Sequence, residues 1–268
     1  MRRGAIVVAV LIISTCGFTQ NSSAQSSDKA AGQAAAPAGK RRPMAKTQEE
    51  YAAFNAANAL TDPAAQEKAA NDFATKFPDS ELRPLLFKAV MGGYQQANNN
   101  EKNVEMARKV LSYDADDPDA LLGIAQVLAD QTKDTDLDKD QRLAEARKDA
   151  QRALITVDTD IPTAGIDPER LNVYKANVRS QAYYVLGTVD FNNKAWADAE
   201  GNLRKSLEAL PQSVDPITVL RLALSLDMQS KYPEALKYAS QAVDLTKEGT
   251  NSGDAARKEK DRLTQLTK

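Results

Sequence analysis

The sequence predicts an all-α protein, an α-solenoid of about five antiparallel helix pairs with a C-terminal capping helix. Three observations carry that expectation. Apolar residues recur at three- and four-residue intervals through most of the chain, and no stretch alternates with the two-residue period of a strand. Small residues return after about three dozen positions, as from Ala199 to Ala235, at matching places in successive helices. The chain is 42% hydrophobic but only 6% aromatic, with abundant Ala, which suits helices meeting through small side chains better than a β-sandwich.

The elements follow in order. Arg2 and Arg3 precede an unbroken apolar run, Ala5 to Ile13, that is too short for a bilayer span of about 20 residues. Small and polar residues follow, including Ser22-Ser23-Ala24, so residues 1–24 are expected to be a secretory signal peptide cut after Ala24. Cutting there removes two arginines and no acid, leaving 33 basic against 37 acidic residues and a net charge of −4. Cys16, the only cysteine, follows Ile13-Ser14-Thr15 in the manner of a degraded lipobox. It is either a lipidation site or a residue discarded with the signal.

Residues 25–46 are rich in Ala, Gly, Ser and Pro and are expected to form a disordered tether. Lys40-Arg41-Arg42 within it is either a contact for an anionic surface or a solvated linker. Helical pairs are expected over 47–246. Thr47 with Glu50 three residues on reads as a helix N-terminus. Asp62-Pro63, Asp117-Pro118, Asp167-Pro168 and Asp215-Pro216 each read as a cap followed by Pro at the first helical position. Between them, Phe87, Val90 and Tyr94 share one face, as do Leu121, Ile124, Ala125 and Leu128. A polar break, Lys247 to Gly253, leads into a final helix within 247–268 that is charged on most sides and expected to cap the stack.

The clearest unit runs from Ser180 to Pro211. Tyr183, Leu186 and Gly187 lie on its first helix, Asn192-Asn193-Lys194 forms its turn, and Ala199, Leu203 and Leu207 lie on its second. These residues resemble the tetratricopeptide repeat, whose pattern runs aromatic-x2-Leu-Gly, then Ala-x3-apolar, then Pro over about 34 residues. Gly187 and Ala199 lack bulk where two helices must approach. One position departs: the Tyr expected three residues after the Gly is Asp190. The resemblance implies a non-catalytic protein- or peptide-binding scaffold of the bacterial cell envelope, a monomer or weak oligomer without a cofactor. The Phe77-Pro78-Asp79-Ser80 junction is similar to junctions in repeat proteins of outer-membrane assembly, so an assembly lipoprotein anchored through Cys16 is the alternative.

Several classes are disfavoured. The net charge of −2 is not the strongly basic footprint of a nucleic-acid binder. The chain has no His, which removes the commonest general base and every Ser-His or Cys-His arrangement. A catalytic acid or base would have to be a carboxylate, Lys or Tyr, and no paired site is apparent.

Four candidate sites remain. Asp134, Asp136, Asp138 and Asp140, with Glu145 eleven residues after the first, have the ligand spacing of an EF-hand loop. The Gly that such a loop needs is Lys139, so the competing reading is a solvated acidic turn whose Asp138 or Asp140 caps the next helix. Trp196 enters the second helix of the clearest unit, either packing between helices or stacking on a ligand. In the repeat family the first helix of each pair lines a concave groove. Carrying over its fifth and ninth positions gives Leu122 and Gln126, Tyr184 and Thr188, and Leu220 and Leu224 as partner-binding residues. The stripe formed by Ile217, Leu220 and Leu224 either offers a face to that partner or is covered by the C-terminal cap. The Lys-and-Asn constellation with which some family members clamp a peptide's terminal carboxylate is absent, Lys88 being an isolated match, so that specificity is not expected.

Overall fold

The computed structural model describes residues 40–268, and the expected signal segment, Cys16 and the tether up to residue 39 lie outside them. Among the described residues there are eleven α-helices and no strand. They run α1 (Gln48–Asn58), α2 (Pro63–Lys76), α3 (Arg83–Gln96), α4 (Asn100–Tyr113), α5 (Pro118–Gln131), α6 (Lys139–Thr159), α7 (Pro168–Asn192), α8 (Trp196–Ala209), α9 (Pro216–Asp227), α10 (Tyr232–Leu245) and α11 (Asn251–Leu266). The described residues form an α-solenoid of five helix pairs, α1/α2 through α9/α10, followed by a single helix.

The starts of these helices are written locally. Asp62, Asp117, Asp167 and Asp215 each accept a hydrogen bond from the backbone N–H three residues on, at 2.8–3.0 Å, and each is followed by Pro. The carboxylate satisfies a donor the helix cannot, and the ring supplies the helical φ without needing a donor of its own. Thr47 accepts from the Glu50 N–H, while Glu50 reaches back to the Lys46 N–H at 2.6 Å. The last helix starts at Asn251, two residues before the expected end of the polar break. The reason is Thr250, whose hydroxyl accepts from the Gly253 N–H and caps the helix early.

The pairs nest through alanine. Ala146, Ala150 and Ala153 of α6 and Ala235, Ala239 and Ala242 of α10 are fully buried at three- and four-residue spacing. Such stripes let a neighbouring helix settle close, and Leu143, Leu203, Leu222 and Leu226 fill the remaining space. Each helix packs on the next in the chain, and the odd-numbered helices also approach one another in series, α1 to α3, α3 to α5, α5 to α7 and α7 to α9. No two even-numbered described helices approach in this way. A row that closes up while its partner row splays is the inside of a bend, so the odd helices line the inner face. None of the described helices is long and apolar enough to cross a membrane.

Residues 40–46 carry no helix or strand, yet they lie on the solenoid. Lys40 bonds Asp114 and Asp160, and Arg41 bonds Glu81.

Candidate functional site

The inner face carries two polar nodes. The first is built on α5, α7 and α9. Tyr184 of α7 donates its hydroxyl hydrogen to Asp130 of α5 at 2.8 Å. Arg221 of α9 donates to the Tyr184 hydroxyl oxygen at 2.7 Å and to Thr188 at 2.5 Å, and stands 3.4 Å from Asp130. Its guanidinium also lies over the Tyr184 ring, 5.2 Å from the centroid. Three successive pairs are thus joined by one aromatic, one cation and one acid. Burial pushes the Tyr184 hydroxyl pKa well up; Arg221 opposes that and Asp130 adds to it. Arg221 stays charged, because attraction to Tyr184 and Asp130 outweighs its burial. The Arg221 and Asp130 side chains keep 20% and 26% exposure, so the node is reachable from solvent.

The second node lies between α3, α5 and α7. Lys88 pairs with Asp117 at 2.8 Å and Asp119 at 2.7 Å, with Tyr174 of α7 beside them. Burial disfavours the Lys88 charge, but the two carboxylates raise its pKa well above the usual value. A lysine consumed in this way does not stand ready to clamp a peptide carboxylate. Asp117 is also the N-cap of α5, so one carboxylate serves the helix start and the ion pair together.

The residues expected in the groove are placed unevenly. Tyr184 and Thr188 meet in the first node, although Thr188 is fully buried and reaches it through its hydroxyl. Gln126 is half-buried on α5. Leu122 is buried, in the core cluster shared by α5, α6 and α7. Leu220 is buried in a cluster with Val219, Ala242 and Ala256, and Leu224 packs against it. Ala256 comes from α11, which packs on both α10 and α9, so the C-terminal helix shares in covering Leu220. Arg221 and Asp130 were not foreseen. Arg221 falls one position after an expected groove residue, and nothing in its own helix distinguishes it from a solvated arginine.

The acidic loop disperses its carboxylates. Asp134 pairs with Lys139 at 2.8 Å, Asp136 accepts from the Lys133 N–H at 2.9 Å, and Glu145 pairs with Arg108 at 2.8 Å. Lys139, where a cation loop needs Gly, also donates to the Asn192 carbonyl at 3.0 Å. Asp138 occupies the N-cap position of α6 without a capping hydrogen bond. Asp140 is in the first turn of that helix, where its charge suits the helix dipole. Among the described residues no three side chains of metal-binding type converge. Trp196 packs edge-on to Phe191 at 5.1 Å between centroids.

Asp190, the position that departs from the repeat pattern, is buried and held from two sides. Arg147 of α6 donates to one of its oxygens at 2.5 Å and Asn202 of α8 to the other at 2.7 Å. The carboxylate ties three helices together in place of the ring that the pattern expects.

No family model and no curated protein matches the chain. Among solved structures, the assembly chaperone of RpL4 (Acl4, residues 1–338) is similar at 13% identity and a TM-score of 0.43, covering 81% of this chain and 98% of that one. PilW, a type IV pilus biogenesis factor, is similar at 16% identity and a TM-score of 0.41, covering 78% of this chain and 98% of that one. Neither likeness carries an argument about what this chain does.

Proposed function

We propose that this chain is a tetratricopeptide-type scaffold that holds a protein or peptide partner on its inner face and performs no chemistry itself. The observation that carries this reading is the Asp130–Tyr184–Arg221 node, a solvent-reachable polar patch assembled from three separate helix pairs. Tyr and Arg are the residues that most often anchor a protein partner, and here both are fixed before a partner arrives. An extended or helical segment laid across α5, α7 and α9 would meet the node together with Gln126. The repeat signature around Tyr183, Gly187 and Ala199 supports the family assignment.

The signal-like order of residues 1–24 supports export, with the periplasm as the site of action. The Ile13-Ser14-Thr15-Cys16 run supports a second reading, in which the chain is an envelope assembly lipoprotein held at a membrane through Cys16. The mass of the processed N-terminus separates the two, since a lipidated Cys16 and a free Gln25 differ by many residues and acyl chains.

The test of the groove is site-directed photocrosslinking in intact cells. A crosslinking residue at Gln126 captures a discrete partner, while one at the exposed Lys148 of α6, on the even-numbered row, does not. Arg221→Ala diminishes the Gln126 adduct several-fold. Equal capture from both positions, or capture indifferent to Arg221→Ala, overturns the reading.

A further inference from the structure

The connections between helix pairs form an edge of the solenoid, and three carboxylates stand along it. Glu81 lies between α2 and α3, Asp114 between α4 and α5, and Asp160 between α6 and α7. Across the described residues, none of the three has an ion-pair partner within the helical stack. Their cations come from the segment before α1. Lys40 Nζ is 2.5 Å from Asp114 and 3.0 Å from Asp160, and Arg41 is 2.5 Å from Glu81. Two acids at the start of α5, Asp117 and Asp119, are by contrast served by the stack itself, both pairing with Lys88.

The segment lies along the edge as an irregular chain. The Met44 N–H donates to the second Glu81 oxygen at 3.3 Å. The Arg42 guanidinium lies against Gly165, 3.4 Å from where a Cβ would stand. Residues 40–44 therefore touch all three connections. Burial works against the Lys40 charge, but the hydrogen bonds to Asp114 and Asp160 more than offset it. An acid pair with no cation of its own in the stack favours whatever cation reaches it.

We propose that this edge is a docking track for an extended Lys- and Arg-bearing segment of another chain, and that residues 40–42 are its occupant in the free protein. The proposal stands apart from the inner-face reading, because the track lies on the pair-to-pair connections. The covalent link gives residues 40–42 an effective concentration of the order of millimolar, so a competitor in solution must overcome that advantage. Occupancy is electrostatic and weakens with salt over the range in which the Debye length falls below about 10 Å.

The test uses the whole chain and a fluorescent synthetic peptide of residues 37–46. The triple variant Lys40→Ala, Arg41→Ala, Arg42→Ala binds this peptide at least tenfold more tightly than the unaltered chain does. That binding drops at least tenfold on adding Asp114→Asn and Asp160→Asn, and it falls as salt rises from 50 to 300 mM. No binding to the triple variant, equal binding to both chains, or binding indifferent to the two Asn substitutions overturns the proposal. If the triple variant loses its helical circular dichroism, the single variant Lys40→Gln is titrated instead under the same criteria. Photocrosslinking from Gln126 is unchanged in either variant, so failure of the track and failure of the groove remain distinguishable.

Discussion

Gly187 of α7 lies so close to Leu203 of α8 that a Cβ on the glycine would sit 2.7 Å from Leu203 Cγ and 3.2 Å from the Leu203 backbone nitrogen. The two helices are in contact where the repeat pattern places its small residue, and the contact includes backbone, which cannot turn aside.

Gly187→Ala is therefore destabilising in spite of its better helix propensity. The propensity gain is about 1 kcal/mol, and overpacking costs about 1–3 kcal/mol. With backbone at the contact the upper part of that range applies, for a net loss of about 1–2 kcal/mol. Thermal unfolding should fall by roughly 2–6 °C. Gly201, also helical but with nothing within 4 Å of its added Cβ, is the control. Gly201→Ala should leave the midpoint unchanged or raise it. A rise on Gly187→Ala would disprove the close approach.

Arg147→Ala should cost more than an ordinary surface truncation. It strips the cation from the buried Asp190, whose side chain is 4% exposed. Breaking buried pairs costs about 3–5 kcal/mol. Because the Arg147 side chain is 36% exposed, water can partly replace it, and a loss of about 2–3 kcal/mol is expected. Adding Asp190→Asn should recover part of the loss, since no charge is then stranded. Urea unfolding of the two single variants and the double variant reads this directly. Strict additivity would show that the two residues are not coupled.

Asp149 gives stability a pH dependence of unusual sign. Burial, with Glu145 nearby, raises its carboxyl pKa from 3.8 to about 6. The folded state then holds this proton more tightly than the unfolded chain, so its contribution is full below about pH 4 and is lost as pH rises through about 6. Asp149→Asn should be neutral at pH 4 and stabilising at pH 7. Discounted for its partial exposure, the gain is about 1 kcal/mol. Unfolding midpoints at the two pH values provide the measurement, and an equal shift at both would refute the assignment.

Glu200 behaves in the opposite way. Burial opposes its charge, but hydrogen bonds from Lys231, Arg204 and Gln229 outweigh that and depress its pKa to about 2. Its contribution is present above the ordinary value of 4.5 and disappears as pH falls towards 2. Glu200→Gln should loosen the joint between α8 and the turn that leads into α10 at neutral pH. Hydrogen exchange in Tyr232–Leu245 should speed up several-fold, while that in Arg83–Gln96 stays unchanged. Uniform acceleration along the chain would rule out a local role.

Much of the architecture was legible because its signals are local. A carboxylate followed by Pro marks a helix start within four residues, and each of the four Asp-Pro pairs begins one. Leu, Ala and Gly at three- and four-residue spacing mark the packed face. The site was less legible. Tyr184 was found because it occupies a repeat position, whereas its partners Asp130 and Arg221 lie 54 and 37 residues away in sequence. Leu122 and Leu220 were read as groove residues from the same positions, yet neighbouring helices bury both. Position within a repeat indicates the direction of a side chain, not what stands in front of it.

By itself, the sequence determined the helical class, the helix starts at Thr47 and the four Asp-Pro pairs, the alanine and glycine faces through which the helices nest, and their stacking as pairs. These are encoded by neighbours a few residues apart, which short-range sterics and capping can read. Only the tertiary structure decided that Asp190 would be paired with Arg147 and hydrogen-bonded by Asn202, that α11 would share in covering Leu220 of α9, and that Lys40 and Arg41 would supply cations to Asp160, Asp114 and Glu81. Each of these joins groups distant along the chain, and charge and burial act through space, so they take effect once the pairs have stacked.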